Sequence, residues 1–399
     1  MVDTAMRIAV IGHGFWPQVG GLERQIYDCA MGFTRRGHRV SILSISGENS
    51  ESPQKELLKS PNAHPIEVYR FKVPSSRPDR DDPLQDLSIP LAFYKRSASD
   101  WAQLIQSADL ICTFGVVPGI VGGIIKKTCQ IPLVAVLPGI PDKSSPDFEE
   151  VLNSNANAFV SVSRYMQEKA RALYDLEMIN IYNGVDTDFF KPTHKNMKYG
   201  FLKNVSEELI TSPVRLDPMK GIHILIEAFE KVHRSYDKAT LLITGNGSVF
   251  HEMGTISPYH EYLLNMSDRM GLNDHVVFAL GETSSEDMPA LYSLSSVCVM
   301  TSISEGFGLG IAEAMACESP VVATRTEGMQ EVFEDGIGGY YADVGNTDQI
   351  AERIIRILSD SELRRRMGKA AREHVVSTYS LDIQTDGYLK VFSSLCCKE

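Results

Sequence analysis

Short apolar runs alternate along this chain with stretches whose apolar positions recur every three or four residues. That alternation sets the expected architecture. RIAVIG at 7–12 reads as a buried strand, a helical pattern follows the loop HGFWPQVGG over 22–36 and stops at Gly37, and RVSILSI at 39–45 resumes as strand. This is a βαβ opening. DLICTFG (109–115), PLVAVLP (132–138), AFVSVS (158–163) and NIYNG (180–184) continue it, with helical stretches between most of them. Alternation of this kind predicts a mostly parallel sheet wrapped by helices.

A second run begins after the polar stretch at 191–212. It predicts helices at 221–236, 258–270, 285–295, 308–317 and 346–358, and strands at 239–245, 275–280, 296–302 and 320–324. Two closing helices follow at 361–376 and 380–395. No short repeat links the halves, which share an architecture only. The fold class expected is α/β with two Rossmann-like domains facing across a cleft. The expected bounds are 1–188, 189–378, and a last helix over 379–399 that crosses back to the first domain. In open parallel sheets ligands bind beyond the carboxyl ends of the strands. The loops HGFWPQVGG, LPGIPD, VRLDPMKG, TGNGS, ALGE and SISEGFG are therefore where chemistry is expected.

Composition narrows the chemistry. The 399 residues carry a formal charge of −12, which argues against a nucleic-acid partner. Any anionic substrate must then be met by local positive groups. Seven cysteines form no C-x-x-C pair and no metal spacing with histidine, so reduced thiols are expected. The N-terminus has no leader pattern and no window approaches a membrane span, so a cytoplasmic location is expected. The final CCKE is a poor prenylation box.

Two loops stand out. In SISEGFGLGIAEAMA a strand passes into a helix through Gly306 and Gly308, so unpaired amides at the helix start can approach an anion. Glu305 and Glu313, eight apart, return to nearly the same helix face at different heights, as two carboxylates accepting from sugar hydroxyls would. In SPVRLDPMKG, Arg215 and Lys220 stand five apart on another strand-to-helix loop, where Asp217 and Pro218 favour a turn. These cations would clamp a diphosphate.

Together with NGVDTDFFKP (183–192) and PQVGGLERQIYDCA (17–30), these motifs resemble the family 4 retaining glycosyltransferases of the glycosyltransferase-B fold, and the resemblance covers essentially the whole chain. It implies transfer of a sugar from a nucleoside diphosphate sugar, with UDP favoured, to a hydroxyl acceptor. Arg215 and Lys220 then bind the diphosphate, Glu305 sits by the transferred sugar, and Glu313 holds the ribose hydroxyls. The backbone of Gly306, Phe307, Gly308 and Leu309 contacts sugar and phosphate, Gly245 belongs to the donor site, and Gly20 and Gly21 form the first domain's glycine loop. No metal or cofactor is implied. The acceptor, whether sugar, lipid or small molecule, is not fixed, and peripheral membrane contact stays open.

The chain departs from the family pattern in two places. Pro138 stands where many relatives carry a histidine, with no histidine between His64 and His194; Asp142 is a candidate replacement. Glu318 stands where relatives usually have glycine. The first departure keeps a catalytically inactive nucleotide-binding subunit as an alternative, and a nucleotide-sugar epimerase is a second one. IGHGFWP imitates a dinucleotide fingerprint but places Pro17 at the third glycine, and Asp-Thr-Asp at 186–188 is read as a turn rather than a metal site. His13 is a candidate substrate contact.

Overall fold

The computed structural model describes residues 5–15, 20–46, 54–59, 63–72, 91–193, 208–245, 258–280 and 283–396. The chain forms two compact units, Met1–Gly184 with Leu381–Glu399, and Val185–Ser380.

In the first unit the order is β1 (Arg7–Gly12), α1 (Gly21–Arg35), β2 (Arg39–Ser46), β3 (Gln54–Leu58), β4 (Ile66–Lys72), α2 (Leu91–Ile105), β5 (Leu110–Phe114), α3 (Val116–Cys129), β6 (Leu133–Leu137), α4 (Pro146–Leu152), β7 (Ala158–Ser161), α5 (Arg164–Tyr174) and β8 (Ile179–Asn180). The sheet runs β3-β4-β2-β1-β5-β6-β7-β8. Every pairing is parallel except β3 with β4. β5 and β6 are buried along their whole length, which is why their sequences are continuous apolar runs rather than alternating ones. Helix starts follow local chemistry: Ser145 caps α4 with Pro146 in its first turn, and Ser163 caps α5. Trp101 of α2 is fully buried, its ring 4.6 Å from that of Phe71 on β4.

The second unit holds β9 (Leu209–Ser212), α6 (Ile222–His233), β10 (Thr240–Ile243), α7 (Pro258–Arg269), β11 (Val276–Phe278), α8 (Met288–Leu294), β12 (Val297–Met300), α9 (Leu309–Ala316), β13 (Val321–Thr324), β14 (Gly339–Ala342), α10 (Thr347–Ser359) and α11 (Ser361–Thr378). Its sheet is parallel throughout, ordered β11-β10-β9-β12-β13-β14. The last helix, α12 (Leu381–Cys396), belongs to the first unit. It packs on α1 through Phe33, whose ring lies 5.3 Å from Phe392 and 6.0 Å from Tyr388, while Arg36 pairs with Asp382 and Asp386.

The apolar pattern did not predict β3, β4, α2 or β14. β4 reads IEVYRFK, and its charges belong to cross-strand pairs at the sheet edge: Arg70 with Glu56 at 3.0 Å and Glu67 with Lys55 at 2.7 Å. β14 is only GYYA, too short to register as a run. Helix α6 stops at His233 rather than 236.

Glu318, just past α9, has φ 63°, the left-handed conformation in which a β-carbon costs roughly 1–2 kcal/mol. Glu318→Gly should therefore raise the unfolding free energy by about 1 kcal/mol, part of the gain being offset by added unfolded-chain entropy. Glu318→Ala keeps the β-carbon and should leave stability nearly unchanged. Urea unfolding of both variants checks this.

Candidate functional site

The second sheet changes direction at β9. Its successor β10 lies on one side and β12 on the other, so the loops leaving β9 and β12 diverge from adjacent strands. That switch point is where an open parallel sheet offers a crevice. The two loops singled out in the sequence, after β9 and after β12, are those at this point.

The loop after β9 is built around Asp217. Its carboxylate accepts from the Met219 amide at 2.9 Å and caps a short 3-10 turn, Pro218–Lys220, which presents Lys220. The turn is stitched to the loop after β12: the Ile303 amide donates to the Met219 carbonyl at 2.8 Å and the Thr301 hydroxyl to the Gly221 carbonyl at 2.8 Å. So placed, the Lys220 ammonium meets Glu305 Oε2 at 2.6 Å, each side chain being 19% exposed. Ser302 Oγ donates to the same oxygen at 3.4 Å. Arg215, on the same loop as Lys220, is exposed, and its guanidinium has no ion-pair partner among the described residues.

Glu305 is held from behind by a third carboxylate. Glu327, in the loop after β13, accepts from the Glu305 amide at 2.8 Å and from Ser304 Oγ at 2.8 and 2.9 Å. The Gly328 amide returns a bond to the Glu305 carbonyl at 3.2 Å. Two neighbouring strand-end loops are thus clipped together, and the backbone from which Glu305 projects is fixed.

Beyond Glu305 the chain turns into α9. Gly308 precedes the helix at φ 91° with no side-chain cap; its carbonyl accepts from the Ile311 amide at 3.0 Å, and the side-chain cap that would take the Leu309 and Gly310 amides is absent. Phe307 is buried, its ring 5.3 Å from Tyr379, so its side chain serves the core. Gly306 and Leu309 are half-buried. Glu313 is half-buried too, and Tyr292 OH donates to its Oε2 at 3.0 Å. Gly245, at the end of β10, lies so close to the Val214 carbonyl that any side chain would overlap it. The structure therefore joins Lys220 directly to Glu305, and sets Glu313 on the helix that Glu305's loop begins.

In the first unit, Gly20 and Gly21 stand at the start of α1, and Glu23 lies against Gly20. His13 is half-buried after β1; burial lowers its imidazole below the usual histidine range, against an opposing pull from Glu23. Pro138 directly follows β6. Asp142 is exposed and already paired with Lys169 at 2.8 Å. Among the described residues no group of His, Cys, Asp and Glu could hold a metal ion, and no helix is long and apolar enough to cross a membrane. The tip of HGFWPQVGG at 16–19, Asn246 to Ser248 of TGNGS, Gly281 and Glu282 of ALGE, and 194–207 of the polar stretch lie outside the described residues.

Sequence reasoning missed Ser304, Glu327 and Tyr292. Glu327 was reachable, since it sits in a loop at the carboxyl end of a strand beside β12. Tyr292 was not, because a tyrosine in the apolar helix MPALYSL reads as core.

Residues 19–189 match the family described as Glycosyltransferase Family 4, and 195–374 match Glycosyl transferases group 1. The N-acetyl-alpha-D-glucosaminyl L-malate synthase of Bacillus anthracis is 25% identical over 385 residues, covering 92% of each chain. Among solved structures, Anabaena HepE in complex with UDP and glucose superposes with a TM-score of 0.74 at 22% identity, covering 98% of this chain and 100% of that one. The sucrose-phosphate synthase of Thermosynechococcus elongatus does so with a TM-score of 0.81 at 20% identity, covering 98% and 99%. These likenesses show the glycosyltransferase-B fold. With two adjoining family matches that between them take in most of its length, the chain belongs to the group 1, family 4 glycosyltransferases.

Proposed function

We propose that the chain transfers a sugar from a nucleoside diphosphate sugar, with uridine as the base, to a hydroxyl acceptor and retains the anomeric configuration. The second unit takes the donor and the first the acceptor. The observation that carries this reading is the Lys220–Glu305 pair at the β9/β12 switch point, beside the exposed Arg215 and the uncapped start of α9. The HepE structure, which holds UDP and glucose, supports the choice of uridine.

In this reading the donor diphosphate competes with Glu305 for Lys220. Once the ammonium turns to the diphosphate, the Glu305 carboxylate is released to accept from a hydroxyl of the transferred sugar. The bond between the anomeric carbon and the phosphate oxygen then breaks, and the diphosphate keeps the electron pair. Lys220, Arg215 and the α9 amides are assigned the charge that develops on it. The acceptor oxygen bonds to the anomeric carbon on the same face, and its proton passes to the departing phosphate oxygen. No enzyme nucleophile is needed.

The test is incubation with UDP-, GDP- and ADP-sugars over an acceptor panel, with the product anomer read by NMR. A UDP-sugar giving a retained linkage is expected; an inverted linkage contradicts the mechanism, and binding without turnover marks an inactive relative. Lys220→Ala should lower kcat on the order of 10²-fold, as the loss of one preorganised charge-stabilising group does. An unchanged kcat removes Lys220 from the chemistry. Glu327→Ala leaves the Ser304 hydroxyl and the Glu305 amide without their acceptor and should cost about 1–3 kcal/mol in urea unfolding, with reduced turnover. Glu327→Gln keeps an acceptor oxygen and should recover most of both.

A further inference from the structure

Glu313 does not stand alone at the point where a ribose is proposed to bind. Tyr292, on α8, is 1% exposed, and its ring packs 6.1 Å from that of Phe190. Its hydroxyl donates to Glu313 Oε2 at 3.0 Å. Burial first, and the Glu313 charge next, push the phenol well above its ordinary range, so it stays protonated and keeps donating. Cys298 and Cys317 are buried beside the same carboxylate; burial and the Glu313 charge raise both thiols, Cys298 to about 12. Neither thiol adds a negative charge there at neutral pH.

A glutamate on a helix has several rotamers, and a carboxylate that must meet a pair of hydroxyls performs best when one orientation is already selected. The phenol contributes to that selection. It is anchored by a core ring that cannot follow the carboxylate, and it occupies one of roughly four acceptor positions that a carboxylate offers.

We infer that Tyr292 is a positioning residue for ribose recognition: through Glu313 Oε2 it helps hold the carboxylate in the orientation that meets the 2′ and 3′ hydroxyls of a ribonucleoside diphosphate. The inference rests on the proposed role of Glu313 as the ribose-binding residue. It makes Tyr292 a source of discrimination between ribose and deoxyribose without contact to the nucleotide. A ligand lacking the hydroxyl forgoes a charge-assisted bond to an oriented carboxylate, the kind of loss on which hydroxyl-sensing sites discriminate most strongly.

Calorimetric titration with UDP, 2′-deoxy-UDP and 3′-deoxy-UDP tests it on the wild type and Tyr292→Phe, a change that removes only the hydroxyl. The wild type should prefer UDP over at least one deoxy analogue by about tenfold, in line with a hydrogen bond to a charged group. Tyr292→Phe should cut that ratio by about threefold or more, with deoxy-analogue affinity held within about twofold. Equal binding of all three by the wild type overturns the ribose reading of Glu313 and this inference with it. Undiminished discrimination in Tyr292→Phe overturns the positioning role alone. Should that variant not fold, 3-fluorotyrosine at position 292 gives a second readout. Its 19F resonance should move on adding UDP and move less on adding the deoxy analogue; an equal response to both contradicts the inference.

Discussion

One ion pair, Lys220 with Glu305 at 2.6 Å, organises the site of the second unit. It ties loops from two adjacent strands in a chain whose formal charge is −12, so the cation is already claimed by a carboxylate of the same molecule. Each partner is 19% exposed. Breaking the pair should therefore cost more than the about 1 kcal/mol of a surface pair and less than the roughly 3–5 kcal/mol of a fully buried one. An interaction of that size holds the loops in register, and in the proposed mechanism a diphosphate bearing more than one charge replaces it.

Everything around the pair limits how far it can move. The 3-10 turn capped by Asp217 aims the lysine, two hydrogen bonds from Thr301 and Ile303 bind that turn to the opposite loop, and Glu327 clamps the backbone of Glu305. The order of the parallel sheet starts both loops side by side. Because β9 and β12 are hydrogen-bonded neighbours whose chain continuations lead to opposite sides, their loops open beside each other at one end. Holding the backbone in this way leaves the turn of the Lys220 side chain from Glu305 as the movement that the proposed mechanism requires.

The fold was legible in the sequence because strands buried on both faces leave apolar runs and the helices between them leave a regular period. Legibility failed at β4, where edge charges pair across strands and break the run, and at β14, where four residues are too few. Of the candidate site, the sequence pointed to conspicuous residues in conspicuous loops, and the structure brings Lys220 and Glu305 together and puts Gly308 at the start of α9. The site was not legible where support comes from elsewhere in the chain: Glu327 lies 22 residues beyond Glu305, and Tyr292 lies 21 before Glu313. Such partners are set by sheet order and helix packing, which no local pattern encodes. Pro138 follows β6 in the first unit, and Asp142 is taken up by Lys169.

The central claim is that a diphosphate and Glu305 compete for one ammonium. Calorimetric affinity for UDP in Glu305→Gln, set against the wild type and against uridine as a ligand without phosphates, tests it most directly. Removing the competing charge should tighten UDP severalfold and leave uridine unchanged; UDP affinity that is equal or weaker in Glu305→Gln would contradict the account.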